Sequence, residues 1–216
     1  MKIKTKKSLG QNFLIDKNIL DKIISLTKIN DMNILEVGPG SGNLTSQIIK
    51  KKPKKIYVVE KDDSLCSILK KNFDDQIEII NDDILKVKEN SISKEKLIVF
   101  GNLPYNVSTE IICNWIINLK EKIWFSELIL MFQKEVADRI IAKCNTSQYG
   151  RLSIFSQWRL NIKKIFDISP NSFSPKPKVF STLLHFSPKL KYHNINSPKN
   201  LEFITRIFFN HRRKMI

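Results

Sequence analysis

Cysteine is scarce in this chain of 216 residues, and its three cysteines lie far apart, at Cys66, Cys113 and Cys144. The sequence contains no Cys-x-x-Cys pair, and no histidine lies at ligand spacing from a cysteine. A sequence-encoded zinc site and a disulfide framework are therefore excluded. We expect no bound metal, and we expect the cysteines to be buried thiols of a protein in a reducing cytosol.

Long apolar runs are absent as well. No uninterrupted apolar stretch approaches the ~20 residues that a membrane helix needs. The first seven residues are basic and lack the apolar core of a secretory signal. Hydrophobic residues still make up 42% of the chain, which is enough to bury a globular core. These features predict a soluble, cytoplasmic protein without a membrane contact, and we expect it to be a monomer.

Acidic residues are few relative to basic ones. The chain has 37 Lys and Arg against 21 Asp and Glu, for a net charge of +16. Residues 1–30 carry a net +5 and residues 163–216 a net +9, so the two ends hold most of the excess. Such clustering favours binding to a polyanion such as nucleic acid. An alternative stays open, because 31 of the basic residues are lysine and an A+T-rich genome would also produce many lysines.

Segments of strand-like and helix-like length alternate along the chain, which predicts an α/β fold with a mostly parallel sheet and helices on both faces. The predicted strands are 33–37, 55–60, 77–80, 97–100, 128–132, 162–168 and 179–186, and the predicted helices are 44–51, 62–72, 108–117, 136–142, 151–158 and 201–209. Asp62 or Asp63 is suited to the start of the second of these helices, and Ser108 is expected to cap the third.

The composition changes after residue 187 to proline, lysine, asparagine and serine. We therefore predict a main domain over residues 1–187 and the start of a helical C-terminal domain over residues 188–216.

A glycine-rich turn joins the first strand to the first helix. It runs from Glu36 to Gly42 and holds Gly38, Gly40 and Gly42, three of the six glycines of the chain. Alternate glycines let the backbone turn sharply and approach a ligand next to the amides of a helix N-terminus. The dinucleotide fingerprint is G-x-G-x-x-G, whereas the G-x-G-x-G spacing found here resembles class I S-adenosylmethionine-dependent methyltransferases. An ordinary tight turn is the alternative.

Acidic side chains follow the second and third strands. Glu60 ends the second strand 22 residues after Gly38, close to the ~20-residue offset at which nucleotide-binding folds place the acid that binds ribose. Asp82 and Asp83 follow the third strand in the same way. One of these two could face the amine of an adenine, and the other could be a turn residue without a role.

The segment from Gly101 to Asn106 follows the fourth strand and carries the sequence Asn-Leu-Pro-Tyr at Asn102 to Tyr105. Methylation of an exocyclic amine by a sulfonium needs an aimed nitrogen lone pair more than it needs a base. The side-chain oxygen of Asn102 and a backbone carbonyl at Leu103 or Pro104 could accept the two N–H groups, and Tyr105 could stack on the base. A plain turn is the alternative.

These motifs together resemble the bacterial 16S ribosomal RNA adenine N6,N6-dimethyltransferase family, from Lys7 to the end of the chain. The matching segments are 7–14 (KSLGQNFL), 35–45 (LEVGPGSGNLT), 100–109 (FGNLPYNVST), 133–139 (QKEVADR), 149–153 (YGRLS) and 173–179 (FSPKPKV). The resemblance implies a Rossmann-like class I methyltransferase domain and transfer of two methyl groups from S-adenosylmethionine, which leaves as S-adenosylhomocysteine, to N6 of adenines in small-subunit ribosomal RNA.

The resemblance also implies roles for single residues. Asn12 and Leu14 would close over the cofactor, and Gly38, with Gly40 in the same turn, would contact its amino-acid end. Glu60 would bind the ribose, and Asp83 rather than Asp82 the adenine. Asn102 would contact both the cofactor and the target amine, and Phe173 would oppose Tyr105 across a flipped base. The basic residues that we expect to hold RNA phosphates are Lys4, Lys6, Lys7, Lys176, Lys178, Arg212 and Arg213.

The chain departs from the family pattern at two places. Phe180 stands where the pattern usually has an acid, and the family's C-terminal helical domain continues beyond the point where this chain stops, which suggests a truncated product or a reduced form. Two rival functions stay open. One is a 23S ribosomal RNA adenine methyltransferase of the antibiotic-resistance type, and the other is a non-catalytic RNA-binding factor in ribosome assembly.

Overall fold

A seven-stranded mixed sheet forms the centre of the fold in the computed structural model, which describes residues 10–119, 123–195 and 197–210. The strands are β1 (Phe13–Leu14), β2 (Asn33–Val37), β3 (Lys55–Val59), β4 (Glu78–Ile80), β5 (Leu97–Asn102), β6 (Phe125–Gln133), β7 (Leu160–Ile168), β8 (Phe173–Ser174) and β9 (Ser181–Pro188). The sheet order is β4-β3-β2-β5-β6-β9-β7, with the first five strands parallel and the β6–β9 and β9–β7 pairs antiparallel. Strands β1 and β8 form a separate antiparallel pair.

Seven helices accompany these strands in the described part of the chain. They are α1 (Lys17–Ile24), α2 (Asn43–Lys50), α3 (Asp63–Phe73), α4 (Ser108–Ile117), α5 (Lys134–Ile141), α6 (Arg151–Arg159) and α7 (Pro198–Asn210). The predicted α/β fold with helices on both faces is confirmed.

Two hydrophobic cores lie on opposite faces of the sheet, because successive strand residues point to opposite sides. On β2, Leu35 belongs to one core and Ile34 to the other. The first core includes Ile112 of α4 together with residues of α5 and α6, and the second includes Ile48 of α2 together with residues of α1 and α3. Burial on both faces explains why the central strands read as continuous apolar runs.

Three short elements were missed by the sequence patterns. Strands β1 and β8 have two residues each, too few to show an alternation. Helix α1 could have been predicted, because Asp16 is a typical N-cap residue and the apolar residues Leu20, Ile23 and Ile24 follow it at helical spacing. In the structure Asp16 accepts from the N–H of Asn18 at 3.0 Å, and the three apolar side chains are buried.

Helix starts were predicted with mixed success. Asp62, and not Asp63, is the N-cap of α3 and accepts from the N–H of Ser64 at 3.0 Å. Ser108 was expected to cap α4, and that prediction was wrong. Val107 is the N-cap, and Ser108 is the first helical residue, with an Oγ that donates to the carbonyl of Tyr105 at 3.3 Å.

The segment after β9 folds back on the main sheet. Lys189 N–H donates to the carbonyl of Arg159 at 2.9 Å, and Trp158 Nε1 donates to the carbonyl of His193 at 2.7 Å. Helix α7 then packs on α6. These contacts attach the segment beyond residue 187 to the main domain. The domain boundary near residue 187 stays a prediction.

The cysteines differ from expectation. Cys144 is exposed, and Cys66 and Cys113 are half-buried, so the prediction of three buried thiols was wrong. Burial still raises the pKa of the Cys113 thiol to about 11. In the described ranges, no helix is long and apolar enough to cross a membrane.

Candidate active site

A cleft opens at the edge of the sheet where the parallel strands end. It encloses about 960 Å³ of space between the protein atoms, a volume that includes open solvent at the entrance. Its lining comes from the N-terminal segment and from the turns after β2, β3, β4 and β5: residues 10–13, 37–38, 40, 59–61, 65, 82–84 and 102–107. Ligands of open α/β sheets bind at this edge.

The glycine-rich turn forms one wall of the cleft. Gly40 has φ of +57°, a conformation that side chains other than hydrogen disfavour. A Cβ atom at Gly40 would lie 2.6 Å from Cδ1 of Phe13, which is closer than van der Waals contact allows. Only glycine therefore lets the N-terminal segment pack this closely against the turn. Gly38 anchors the turn by donating its N–H to the carbonyl of Val59 at 3.0 Å.

Glu60 lies at the end of β3 and is 8% exposed. Its Oε1 accepts from the N–H of Asp62 at 2.9 Å, and its Oε2 accepts from the N–H of Gly40 at 3.3 Å. Burial raises the pKa of Glu60, and these backbone N–H groups oppose that rise. The backbone N–H of Lys61 also lowers the pKa of Glu60, and the remaining acceptor capacity of the carboxylate is open to a ligand hydroxyl.

Asp82 and Asp83 both line the cleft, with different surroundings. Asp83 is half-buried, and its Oδ2 lies 2.8 Å from Nζ of Lys61. This hydrogen bond to a cation lowers the pKa of Asp83. Its Oδ1 accepts from the N–H of Leu85 at 3.1 Å, whereas Asp82 is exposed and accepts from the N–H of Asp83. Asp83 is thus the acid with a fixed orientation.

Asn102 ends β5 and faces the N-terminal segment. Its Nδ2 donates to the carbonyl of Asn12 at 2.7 Å, which fixes the orientation of the amide. No described residue donates to its Oδ1. The carbonyl of Pro104 already accepts from the N–H groups of Val107 and Ser108, at 3.1 and 2.9 Å, so Leu103 has the freer carbonyl in this loop.

Tyr105 is held at both ends. Its carbonyl accepts from Oγ of Ser108, and its phenol oxygen lies 2.5 Å from Oγ of Ser181 at the start of β9. Burial raises the pKa of the phenol, so Tyr105 is neutral at physiological pH. Its side chain lines the cleft between these two anchors.

The N-terminal segment contributes Asn12 to the cleft but not Leu14. Leu14 is 5% exposed and pairs with Phe173 in the β1–β8 ribbon, and both side chains belong to the second hydrophobic core. Phe173 is 3% exposed, so its side chain does not face Tyr105 across the cleft. The opposition of these two rings stays a prediction, which requires Phe173 to leave this core.

The predicted RNA-binding residues fall in two groups. Lys176 and Lys178 are exposed on the loop between β8 and β9. Lys4, Lys6, Lys7, Arg212 and Arg213 lie outside the described residues.

Three residues that line the cleft or contact a residue of its lining were not predicted. Phe13 packs against Gly40, Lys61 pairs with Asp83, and Ser181 contacts Tyr105. Phe13 lies in the segment 7–14 that matches the family pattern, so the sequence could have indicated a role for it. Lys61 and Ser181 act through partners 22 and 76 positions away, which no local pattern reveals. Among the described residues, no group of three or more His, Cys, Asp or Glu side chains could hold a metal ion.

Glu36 is a buried carboxyl beneath the glycine-rich turn. It is 2% exposed, and its Oε2 accepts from Oγ1 of Thr45 at 2.6 Å. Burial raises the pKa of Glu36 from 4.5 to about 7, while the Thr45 bond opposes the rise. The folded protein therefore binds this proton more tightly than the unfolded chain does.

We expect the protein to lose stability through Glu36 as the pH rises. The contribution of the bound proton is fully present below pH 4.5 and is lost as the pH passes through about 7. Between pH 5.5 and 8 this amounts to about 2 kcal/mol as an upper estimate. Glu36→Gln keeps the acceptor for Thr45 and removes the titration. Urea unfolding at both pH values should show a smaller loss in the variant, and equal losses would contradict the assignment.

Comparison with known proteins places the chain in a family. The model of the family described as ribosomal RNA adenine dimethylase matches residues 2–216. The chain is 64% identical over 216 residues to the ribosomal RNA small subunit methyltransferase A of Pelagibacter ubique strain HTCC1062, with 100% of this chain and 82% of the relative covered. It is 40% identical to the protein of the same name from Wolbachia pipientis, covering 99% of this chain and 81% of the relative.

Solved structures agree with this placement. A dimethyladenosine transferase from Plasmodium falciparum superposes with a TM-score of 0.81 at 31% identity, covering 94% of this chain and 72% of the other. A 23S rRNA methyltransferase superposes with a TM-score of 0.71 at 22% identity over 92% of this chain and 79% of the other, which shows a shared fold only. The glycine-rich turn, the strand-end acids and the Asn102 loop therefore lie on a class I methyltransferase fold, and the chain belongs to the ribosomal RNA adenine dimethylase family.

Proposed function

We propose that this chain transfers methyl groups from S-adenosylmethionine to N6 of adenines in the 16S ribosomal RNA of the small subunit, giving N6,N6-dimethyladenosine. The observation that carries the proposal is the fixed amide of Asn102, which lies in the same cleft as the glycine-rich turn and Glu60. The names of the relatives, a small subunit methyltransferase and a dimethyladenosine transferase, support the substrate and the product.

The residues present fit S-adenosylmethionine. Gly38 and Gly40 line the cleft, and glycines there suit a close backbone approach by the amino-acid end of the cofactor. Glu60 offers carboxylate oxygens for the two ribose hydroxyls, and Asp83 is held by Lys61 in a fixed orientation for the adenine amine. Asn12 and the edge of the Asn102 loop would enclose the remaining side. The bound sulfonium supplies a methyl group that is already activated.

The target amine needs two acceptors that turn its lone pair out of conjugation. Asn102 Oδ1 is one, because Nδ2 of the same amide is occupied by the carbonyl of Asn12. The second is the carbonyl of Leu103, since the carbonyl of Pro104 already accepts two N–H groups. These two acceptors would aim the nitrogen at the methyl group. No histidine lines the cleft among the described residues, and the mechanism requires no base from the protein.

The target adenine must leave its stack to reach the cleft. Tyr105 provides a neutral aromatic ring on which the base can stack. Phe173 would take the other face of the base only if its side chain moved out of the second core. We propose that no metal takes part, because the sulfonium needs no further activation. We also propose that the chain acts on the small ribosomal subunit in the cytoplasm, and that it does so as a monomer.

We expect Lys176 and Lys178 to contact RNA phosphates beside the cleft. Changing both to serine should weaken RNA binding and flatten its salt dependence by ~0.7–0.9 per lost contact. Fluorescence anisotropy with an RNA hairpin at several salt concentrations measures the slope. A matched control changes Lys51 and Lys71, which are exposed at the far ends of α2 and α3, to serine. Equal slopes in the two double variants would favour the compositional explanation of the charge.

Transfer of tritiated methyl groups to isolated ribosomal subunits tests the proposed function. Undermethylated small subunits should accept label, and large subunits should not. Label in the large subunit alone would favour the 23S alternative. Absence of label in both, together with retained RNA binding, would favour the non-catalytic alternative. Primer extension on labelled RNA then locates the modified adenines.

A further inference from the structure

The start of β9 contacts the loop that carries the candidate catalytic residues. Ser181 is the first residue of β9 and is fully buried. Its Cα lies opposite Gln133 of β6 and Ile168 of β7, so it is held between two neighbouring strands. Its Oγ lies 2.5 Å from the phenol oxygen of Tyr105. A rigid part of the sheet therefore reaches the tip of this side chain.

The contact limits how Tyr105 can move. The backbone end of this residue is fixed by Ser108, whose Oγ donates to the Tyr105 carbonyl. The phenol oxygen lies on the long axis of the ring, so the bond to Ser181 fixes the direction of that axis. The two contacts together fix the position and direction of the ring axis within the cleft before any base arrives.

We propose that Ser181 is a positioning residue for methyl transfer, which fixes the axis of the Tyr105 ring beside the target adenine. The inference rests on the proposed function and adds to it a residue outside the cleft motifs. Preorganisation of this kind lowers the barrier because the base meets a surface that does not need to reorder. Ser181 itself does not line the cleft, so it acts only through Tyr105.

The neighbouring residue offers a matched control. Thr182 is also fully buried on β9, and its Oγ1 donates to Oδ1 of Asp167 at 2.6 Å. Because successive strand residues face opposite sides, Thr182 points away from Tyr105. Thr182→Val therefore removes a buried hydroxyl and its hydrogen bond from the same strand without touching the cleft.

The test is a double-mutant cycle with Ser181→Ala and Tyr105→Phe. Each change removes one hydroxyl of the pair and preserves the rest of the side chain. We expect each to lower kcat at saturating RNA by roughly tenfold, the effect of about one hydrogen bond. The double variant should lose no more than either single variant, because both remove the same contact. The Kd for S-adenosylmethionine should stay within error throughout.

Stability alone does not produce this pattern. Thr182→Val should lower the melting temperature by a similar amount to Ser181→Ala and leave kcat near that of the unchanged protein. The inference is wrong if Ser181→Ala affects kcat no more than Thr182→Val, or if the losses of the two single variants multiply in the double variant. If the unchanged protein transfers no methyl group to small subunits, the proposed function falls and this inference falls with it. A working enzyme with an unaltered Ser181→Ala variant overturns the inference alone.

Discussion

Asn102→Ala is expected to lower the single-turnover rate of methyl transfer by roughly 100-fold, the cost of a misplaced reacting group. The variant loses the Oδ1 acceptor that would orient the amine, and it frees the carbonyl of Asn12 from its bond to Nδ2. The expected loss of stability is small, roughly 0.5–1.5 kcal/mol for one hydrogen bond at a half-buried residue. Rapid-quench kinetics and thermal melts on the same preparation separate the two effects.

Asn43→Ala is the matched control for this experiment. Asn43 Nδ2 also donates to a carbonyl of the N-terminal segment, that of Leu14, at 2.8 Å. Its loss should destabilise the segment about as much as the loss of Asn102 does, without removing the acceptor that faces the amine. A large fall in melting temperature with near-normal turnover in Asn102→Ala would mean that Asn102 is structural. Equal rate losses in the two variants would lead to the same conclusion.

The second large effect is expected for Glu60 and concerns cofactor affinity. Glu60→Ala should weaken the binding of S-adenosylmethionine by roughly 1–3 kcal/mol, through the loss of charge-assisted hydrogen bonds to the ribose. The same carboxylate also orders the turn by accepting from the N–H of Gly40, so part of the loss would come from a looser glycine-rich turn.

Calorimetry with S-adenosylmethionine measures this effect. The variant Glu60→Gln helps to distinguish the loss of charge at the ribose from the loosening of the glycine-rich turn. The glutamine keeps one acceptor oxygen, which can serve only one of the two backbone N–H groups, and it lacks the charge, so we expect an affinity between those of the unchanged protein and the alanine variant. Nicotinamide dinucleotides should not bind to any of the three proteins. An unchanged affinity in Glu60→Ala would remove Glu60 from the cofactor site.

The sequence was informative where structure is local. Strand β2 was predicted with its observed bounds because Ile34, Leu35 and Val37 form a short apolar segment that a glycine-rich turn follows. The carboxyl-edge positions of Glu60, Asp83 and Asn102 followed from the same reasoning, since each lies at or shortly after the carboxyl end of a parallel strand. Their convergence on one cleft is a consequence of the parallel sheet.

The sequence was less informative where structure depends on distant partners. The β1–β8 ribbon joins residues about 160 positions apart, and it buries Phe173 in a core that no local pattern shows. The choice between Leu103 and Pro104 as acceptor also required the structure, because the N–H groups that occupy the Pro104 carbonyl become apparent only once α4 is in place. The same holds for Ser181, whose partner lies 76 positions away.

Mass spectrometry of nucleosides tests the central claim most directly. Undermethylated small subunits are incubated with S-adenosylmethionine and either the unchanged protein or Asn102→Ala, and the 16S RNA is then digested to nucleosides. The account predicts N6,N6-dimethyladenosine with the unchanged protein and only background amounts with Asn102→Ala. Absence of dimethyladenosine with the unchanged protein, or its formation in 23S RNA only, would contradict the account.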